Sequence, residues 1–379
     1  MHEAKAPTDS EAIRPCVLLA GGGTGGHIYP NLAIAESVAT IGPAVACQFL
    51  LSQRPIDTAI ARQHALAYQT LTAQPLPKRP GAVWPFIKTY WAARREVRRL
   101  IAQTRPAALI ATGGFVSAPA AHAARSANVP IALVNLDATP GLANRLVARW
   151  ATTVFTVYPT AHLPDARTIG MPIRAAALAD DTPSEARGAL GLDPDRPTLL
   201  VTAGSQGART INNMIAPLIN DPPVKEALAG WQILHLAGSD MVDEVETTYQ
   251  SAGLSAKVLS YCHAMGNAWA AADLAISRAG AATVGEIWAN HVPALFMPYP
   301  YHRDQHQQHN ARPLVEAGGA ELVSDRIDPD RNARTVRETL VPLLGDRNRL
   351  TAMRDSLANS QPPAGAHTVA DWTLAMFHQ

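Results

Sequence analysis

The chain has 379 residues, more than one hydrophobic core usually spans, and 47% of them are hydrophobic, enough for a core in each of two domains. A formal net charge of +1 excludes a nucleic-acid binder that works by bulk electrostatics. The cysteines, Cys16, Cys47 and Cys262, are far apart and form no CxxC pair, which argues against a disulfide framework or zinc ribbon and fits a reducing compartment.

Residues 1–14 are polar and mixed in charge. They lack a basic segment followed by an apolar one, so they read as a frayed tail and not as a signal peptide. No run of 18 uncharged apolar residues follows anywhere, so any membrane contact is expected to be peripheral. The first apolar run, residues 16–20, reads as a buried strand. It leads into Gly21-Gly22-Gly23-Thr24-Gly25-Gly26-His27, then Pro30 and an amphipathic stretch through residue 38. Glycines there let the chain turn tightly and let a phosphate approach the free N–H groups at a helix start. A plain turn is the alternative, but five glycines in six residues cost backbone entropy that a plain turn does not need. Gly21-x-Gly23-x-x-Gly26 also satisfies the dinucleotide fingerprint. That fingerprint needs an acid about 20 residues on, and the second strand runs out at Phe49-Leu50-Leu51-Ser52-Gln53 without one, which counts against NAD.

Residues 75–100 interleave Trp84, Phe86, Ile87, Tyr90 and Trp91 with Lys78, Arg79, Lys88, Arg94, Arg95, Arg98 and Arg99. Aromatics beside cations suit an anionic bilayer surface. An amphipathic helix with its aromatics in the core is the alternative. Apolar runs at 109–112, 131–134 and 154–157 complete the first series of strands, and a boundary is expected near 170–174. A second series follows at 199–202, 233–236, 258–260, 274–277 and 294–297. Its first strand also ends in a glycine turn, Ala203-Gly204-Ser205-Gln206-Gly207-Ala208-Arg209, which lacks the Gly-Lys ending of a P-loop. Continuous apolar strands separated by helical stretches imply parallel sheets covered on both faces. The expected fold class is α/β: two Rossmann-like, doubly wound domains facing a cleft, each presenting a phosphate-sized turn to it. No metal or other cofactor is expected. Asp193-Pro194-Asp195 and Asp328-Pro329-Asp330 read as turns, and His302, His306 and His309 have no carboxylate in a His-Glu-x-x-His frame.

Six stretches carry a resemblance in fixed order. They are Gly22-Gly23-Thr24-Gly25-Gly26-His27-x-x-Pro30, Thr112-Gly113-Gly114-Phe115-Val116-Ser117-Ala118-Pro119 and Gly170-Met171-Pro172-Ile173-Arg174. Then come Gly204-Ser205-Gln206-Gly207-Ala208-Arg209, the run from Arg278 to Glu286, and His306-Gln307-x-x-Asn310-Ala311. Over about residues 15–375 the chain resembles the MurG family of glycosyltransferase family 28. The resemblance implies the GT-B fold and an inverting, metal-independent transfer of N-acetylglucosamine from its UDP donor. The acceptor would be the C4 hydroxyl of a lipid-linked N-acetylmuramyl-pentapeptide in peptidoglycan synthesis, at the cytoplasmic face of the bacterial plasma membrane. Residues 1–172 would form the acceptor domain, with 363–379 returning to it as a helix, and residues 173–362 the donor domain.

By the same resemblance, Glu286 would accept hydrogen bonds from the ribose hydroxyls, for which a carboxylate has the acceptor geometry. Cys262 would offer its backbone to uracil. Arg174, Ser205 and Gln206 would face the diphosphate, and Ala281, Ala282, Thr283 and Val284 would open a helix whose positive end points at it. His306 and Gln307 would touch the sugar, and Thr24, Gly25, Gly26 and Asn144 would line the acceptor side. His27, with an ordinary pKa near ~6.5, is the candidate general base. Acceptor binding alone, or a bond to a backbone carbonyl, are its alternatives. The family usually carries His-Glu-Gln-Asn where this chain has Val134-Asn135-Leu136-Asp137, and Asp137 is expected to accept a sugar hydroxyl instead. That departure leaves room for another lipid acceptor, such as a diacylglycerol, for a UDP-sugar epimerase on the same fold, or for a scaffold without activity.

Overall fold

The computed structural model describes residues 15–202, 208–300 and 305–378, apart from 78, 80, 82 and 363. Ser205, Gln206 and most of the second glycine turn lie outside the described residues, as do residues 1–14 and His302. The first unit runs β1 (Cys16–Gly21), α1 (Gly25–Ile41), β2 (Ala46–Ser52), α2 (Pro55–Gln63), β3 (Tyr68–Leu71), α3 (Val83–Thr104), β4 (Ala108–Gly113), α4 (Ser117–Ser126), β5 (Ile131–Asn135), α5 (Leu142–Ala148), β6 (Thr153–Thr156) and β7 (Arg167–Thr168). Every pairing is parallel, in the order β3-β2-β1-β4-β5-β6-β7. β1, β4 and β5 are buried along their whole length. Helices cover both faces, so these strands show no polar alternation.

The second unit continues with α6 (Pro183–Ala189), β8 (Thr198–Thr202), α7 (Arg209–Ile219), α8 (Pro222–Leu228), β9 (Gln232–Leu236), α9 (Val242–Ala252), β10 (Ala256–Leu259), α10 (Met265–Ala271), β11 (Leu274–Ser277), α11 (Ala281–Ala289), β12 (Ala294–Phe296), α12 (His306–Glu316), β13 (Ala320–Leu322), α13 (Pro329–Gly345) and α14 (Arg347–Ser360). Its parallel sheet has the order β10-β9-β8-β11-β12-β13. The strand order reverses at β1/β4 in one sheet and at β8/β11 in the other. Ligands of open parallel sheets bind at such points, beyond the carboxyl ends of the strands.

The last helix, α15 (Gly365–Ala375), leaves the second unit and packs on α1, burying Val369 and Ala370. Gly42, after α1, accommodates it: a Cβ there would lie 2.6 Å from the Leu374 Cδ2. Apolar packing also runs through the joint. Val157, Ile169 and Met171 share one cluster with Trp269, Val284 and Ile287 of the second unit. The short edge strands β3, β7 and β13 escaped the sequence reading. Apart from the buried Leu71 and Ala320, Tyr-Gln-Thr-Leu, Arg-Thr and Ala-Glu-Leu are half-buried or exposed, and they carry no apolar run.

Candidate functional site

The first wall of the cleft is built where β1 turns into α1. His27 sits in the first turn of α1, half-buried, with Nδ1 3.1 Å from the carbonyl oxygen of Thr112 at the end of β4. A carbonyl only accepts, so Nδ1 carries the proton and Nε2 keeps its lone pair. The Thr112 hydroxyl donates to the His27 carbonyl oxygen at 2.9 Å, fastening the same turn a second time. The imidazole lies over Gly113, where a Cβ would come within 2.9 Å of Cε1 and 3.0 Å of Nδ1. Gly113 also has φ +117, a conformation that favours glycine. Burial pushes the His27 pKa below its ordinary value; Asp137, the Thr112 carbonyl and Asp57 oppose that shift. The ring is therefore neutral at pH 7, with a free nitrogen at the carboxyl end of the sheet.

The glycine loop is held differently from the sequence expectation. The Gly23 N–H does not wait for a phosphate: it donates to Asp57 Oδ2 at 2.7 Å. The same oxygen accepts from the Ser52 N–H at 3.0 Å and the Ser52 hydroxyl at 2.6 Å. Arg54 completes the clamp by donating to the Gly23 carbonyl at 2.8 Å. The acid missing at the end of β2 thus arrives a turn later, at Asp57 on α2, and grips the loop's own backbone instead of a ribose. The space left for an anion is the start of α1, where Thr24 precedes Gly25 and Gly26 without a side-chain cap.

Beside His27 a buried polar chain closes the end of the first sheet. Asn144 donates to Asn135 Oδ1 at 2.9 Å, so its amide nitrogen is already engaged. Asn135 donates to the Asp137 carbonyl at 2.7 Å and to the Thr156 hydroxyl at 3.1 Å. From the second unit, Asn310 on α12 donates to Asp137 Oδ1 at 3.2 Å and accepts the Ala138 N–H at 2.9 Å. The departure segment is therefore one place where the two units are joined by hydrogen bonds.

The opposite wall is built by α11 and the segments around it. Gly280 precedes α11 without a side-chain cap, and among the described residues the N–H groups of Ala281, Ala282 and Thr283 have no side-chain partner, while the Val284 N–H bonds back to the Gly280 carbonyl. The Tyr158 hydroxyl from the first unit donates to the Ala281 carbonyl at 3.3 Å, pinning this helix start to the other wall. Glu286 accepts from Trp269 Nε1 at 3.0 Å through Oε2. Burial raises its pKa, against the opposing effects of Trp269 and Arg174. Arg174, buried in the link between the sheets, lies over the Tyr29 ring at 4.2 Å. The Glu286 charge also acts on the Tyr29 phenol, so Arg174, Tyr29 and Glu286 stand together; His27, two residues earlier on α1, faces Asp137, whose carboxylate is held by Asn310 of the second unit. The Cys262 thiol donates to the Ala264 carbonyl at 3.3 Å. In the first turn of α12 the Gln307 side-chain oxygen Oε1 accepts the Tyr299 N–H at 2.8 Å, and among the described residues its side-chain nitrogen makes no hydrogen bond; His306 stands beside it. Of the turn-like acids, Asp193 Oδ1 accepts the Asp195 N–H and Asp328 caps α13.

Away from the crevice, α3 buries Ala93, Val97, Leu100 and Ile101 and turns its first half outward. Trp84 is 77% exposed and Trp91 48%, and Leu142 of α5 nearby is 69% exposed. Phe86, Ile87, Tyr90, Trp91, Phe115 and Leu142 line a cavity of about 340 Å³. Lys88, Arg95, Arg98 and Arg99 are exposed on the same helix. Among the described residues no helix is long and apolar enough to cross a membrane.

Comparison with known proteins agrees with this geometry. Residues 17–156 match the glycosyltransferase family 28 N-terminal domain, and residues 198–369 match the family 28 C-terminal domain. A relative from Nocardioides sp. is 38% identical over 343 residues, 89% of this chain and 91% of its own. It is named UDP-N-acetylglucosamine--N-acetylmuramyl-(pentapeptide) pyrophosphoryl-undecaprenol N-acetylglucosamine transferase. Among solved structures, MurG of Acinetobacter baumannii superposes with a TM-score of 0.75 at 25% identity, over 96% of this chain and 99% of its own. A solved structure named putative UDP-N-acetylglucosamine 2-epimerase, from Listeria monocytogenes, superposes with a TM-score of 0.63 at 15% identity, over 96% of this chain and 95% of its own. That second likeness concerns the fold alone.

Proposed function

Because this chain belongs to glycosyltransferase family 28, with both of the family's domains in order, we propose that it transfers N-acetylglucosamine from its UDP donor to a lipid-linked N-acetylmuramyl-pentapeptide. One arrangement supports the mechanism: a neutral imidazole, held through Nδ1 by the Thr112 carbonyl, stands beside Asp137 at the joint of the two units, and the second unit brings Glu286 and the uncapped start of α11. The acceptor C4 hydroxyl attacks the anomeric carbon of the sugar from the face opposite the diphosphate. The new C–O bond forms as the bond to the phosphate oxygen breaks, and the hydroxyl proton passes to His27 Nε2. The released UDP takes the bonding electrons. Its growing charge is met by Arg174 and the N–H groups of Ala281, Ala282 and Thr283, without a metal. Glu286, with Oε1 unoccupied, takes the ribose diol. Residues 1–172, with 363–379, hold the acceptor, and residues 173–362 hold the donor.

The acceptor's lipid anchor requires work at a bilayer surface. The exposed Trp84 and Trp91, the cavity that Trp91 lines and the cations of α3 support docking on an anionic membrane, at the cytoplasmic face. Purified protein, UDP-N-acetylglucosamine, a muramyl-pentapeptide diphosphate lipid and EDTA should yield the disaccharide lipid and UDP. His27→Ala should slow turnover roughly 10²–10⁴-fold with UDP affinity intact; undiminished turnover refutes the base. Replacing Arg95, Arg98 and Arg99 with Gln should weaken flotation with phosphatidylglycerol vesicles, and equal flotation refutes the docking face.

A further inference from the structure

We infer that Tyr29, on the acceptor wall, is a positioning residue for the donor: its ring is a shelf that holds the Arg174 guanidinium where the diphosphate of a nucleoside-diphosphate sugar will lie. The inference rests on the donor reading above and adds a residue to it from the opposite unit. Arg174 is buried, yet among the described residues its guanidinium makes no hydrogen bond and no ion pair. Its defined contact is the Tyr29 ring, 4.2 Å from the guanidinium carbon, with the Glu286 charge beyond. A guanidinium has five N–H donors; none of those of Arg174 is a fully buried atom left without a partner, so they stay reachable from solvent at the cost of partial desolvation. An aromatic face offsets part of that cost while leaving the donors available. A diphosphate supplies what is missing, because it can take two of those N–H groups at once.

The shelf is itself immobilised from both sides of the cleft. The His64 ring of the first unit meets Tyr29 edge-on, with centroids 6.0 Å apart. Tyr261, after β10 in the second unit, stands close to the Tyr29 phenol. Burial, and after it the neighbouring Tyr261, push the phenol pKa up to about 12, so the ring stays neutral. Tyr29 follows His27 by two residues on α1. The base and the shelf under the cation therefore leave one turn of the same helix, on different faces of it.

Calorimetric titration of the full-length protein with UDP and, separately, with uridine tests this. Tyr29→Leu should weaken UDP binding by about 5–20-fold, the range of a partly desolvated cation–π contact, and leave uridine binding unchanged. Tyr29→Phe, which keeps the ring, should bind UDP like the wild type. Adding Tyr29→Leu to Arg174→Gln should cost nothing further. If Tyr29→Leu loses no UDP affinity, or loses uridine affinity equally, the inference is overturned, the second result marking a general distortion of the cleft. Wild-type protein that fails to bind UDP overturns the donor reading itself, and the inference with it.

Discussion

His27 shows how much chemistry a single residue inherits from its backbone surroundings. Its glycine-rich frame was legible in the sequence, because glycines at that density announce a turn that must come close to something. Its partners were not. Thr112 acts through a main-chain carbonyl 85 residues away, and Asp57 falls outside any local motif. Asp137 stood out only as a departure from a family pattern, and the pattern does not say that Asn310 would hold its carboxylate. The charge of Asp137 has a measurable consequence. A general base must be deprotonated, so kcat/KM should fall on the acid side as His27 takes up a proton. Burial lowers the His27 pKa, which places that limb below the ordinary histidine value of ~6.5. Asp137 opposes the lowering, so Asp137→Asn should move the limb further toward acid. A limb that stays in place, or moves toward neutral pH, would show that the Asp137 charge does not reach the imidazole.

At the scale of elements, the long buried strands were readable because parallel sheets covered on both faces need uninterrupted apolar runs. The edge strands were hidden by their brevity. The clearest non-local element is α15. Nothing in its sequence names α1 as its neighbour, yet Val369 and Ala370 are completely buried there and Gly42 leaves room for Leu374. This contact braces the helix that carries both His27 and Tyr29. Val369→Ala should cost roughly 2 kcal/mol, from the lost methyl groups and the void they leave. Urea denaturation checks it, and an unchanged midpoint would mean that α15 adds little to the fold. The second sheet has its own inner brace. His235, fully buried, accepts from the Tyr249 hydroxyl at 3.0 Å and donates to Asn212 Oδ1 at 3.2 Å, linking β9, α9 and α7. Burial depresses its pKa to about 3. The unfolded chain therefore binds this proton first. The stability that His235 contributes is intact above pH ~6.5 and drains away as pH falls toward about 3.

For the whole molecule, the alternation of strands and helices sufficed to predict two doubly wound units and a cleft. It did not predict how the walls are joined, because those contacts link residues 100 or more positions apart. Among the described residues, the direct links across the crevice side include Asn310 to the 137–138 segment, Tyr158 to Ala281, and Arg174 to Tyr29. Asn310 is fully buried and also donates to the Ala279 carbonyl at 3.4 Å. Asn310→Ala leaves the Ala138 N–H and Asp137 Oδ1 without their partner across the joint. The cleft should then open more readily, and the KM for the UDP donor should rise about 5–10-fold, as expected from two lost hydrogen bonds of ~1 kcal/mol each, partly replaced by water. Small-angle scattering without ligand should report a larger radius of gyration. Unchanged values of both would show that the remaining links hold the units by themselves.

The imidazole takes its orientation from a peptide oxygen, and every amino acid supplies one. No codon change at position 112 can delete that acceptor, so the tautomer of His27 is sheltered from mutational drift there. Vulnerability moves instead to positions where bulk is forbidden, above all Gly113, where even a methyl group would press on the ring. Variants selected for resistance to a compound in this crevice should therefore spare residue 113 and accumulate among the polar side chains facing it.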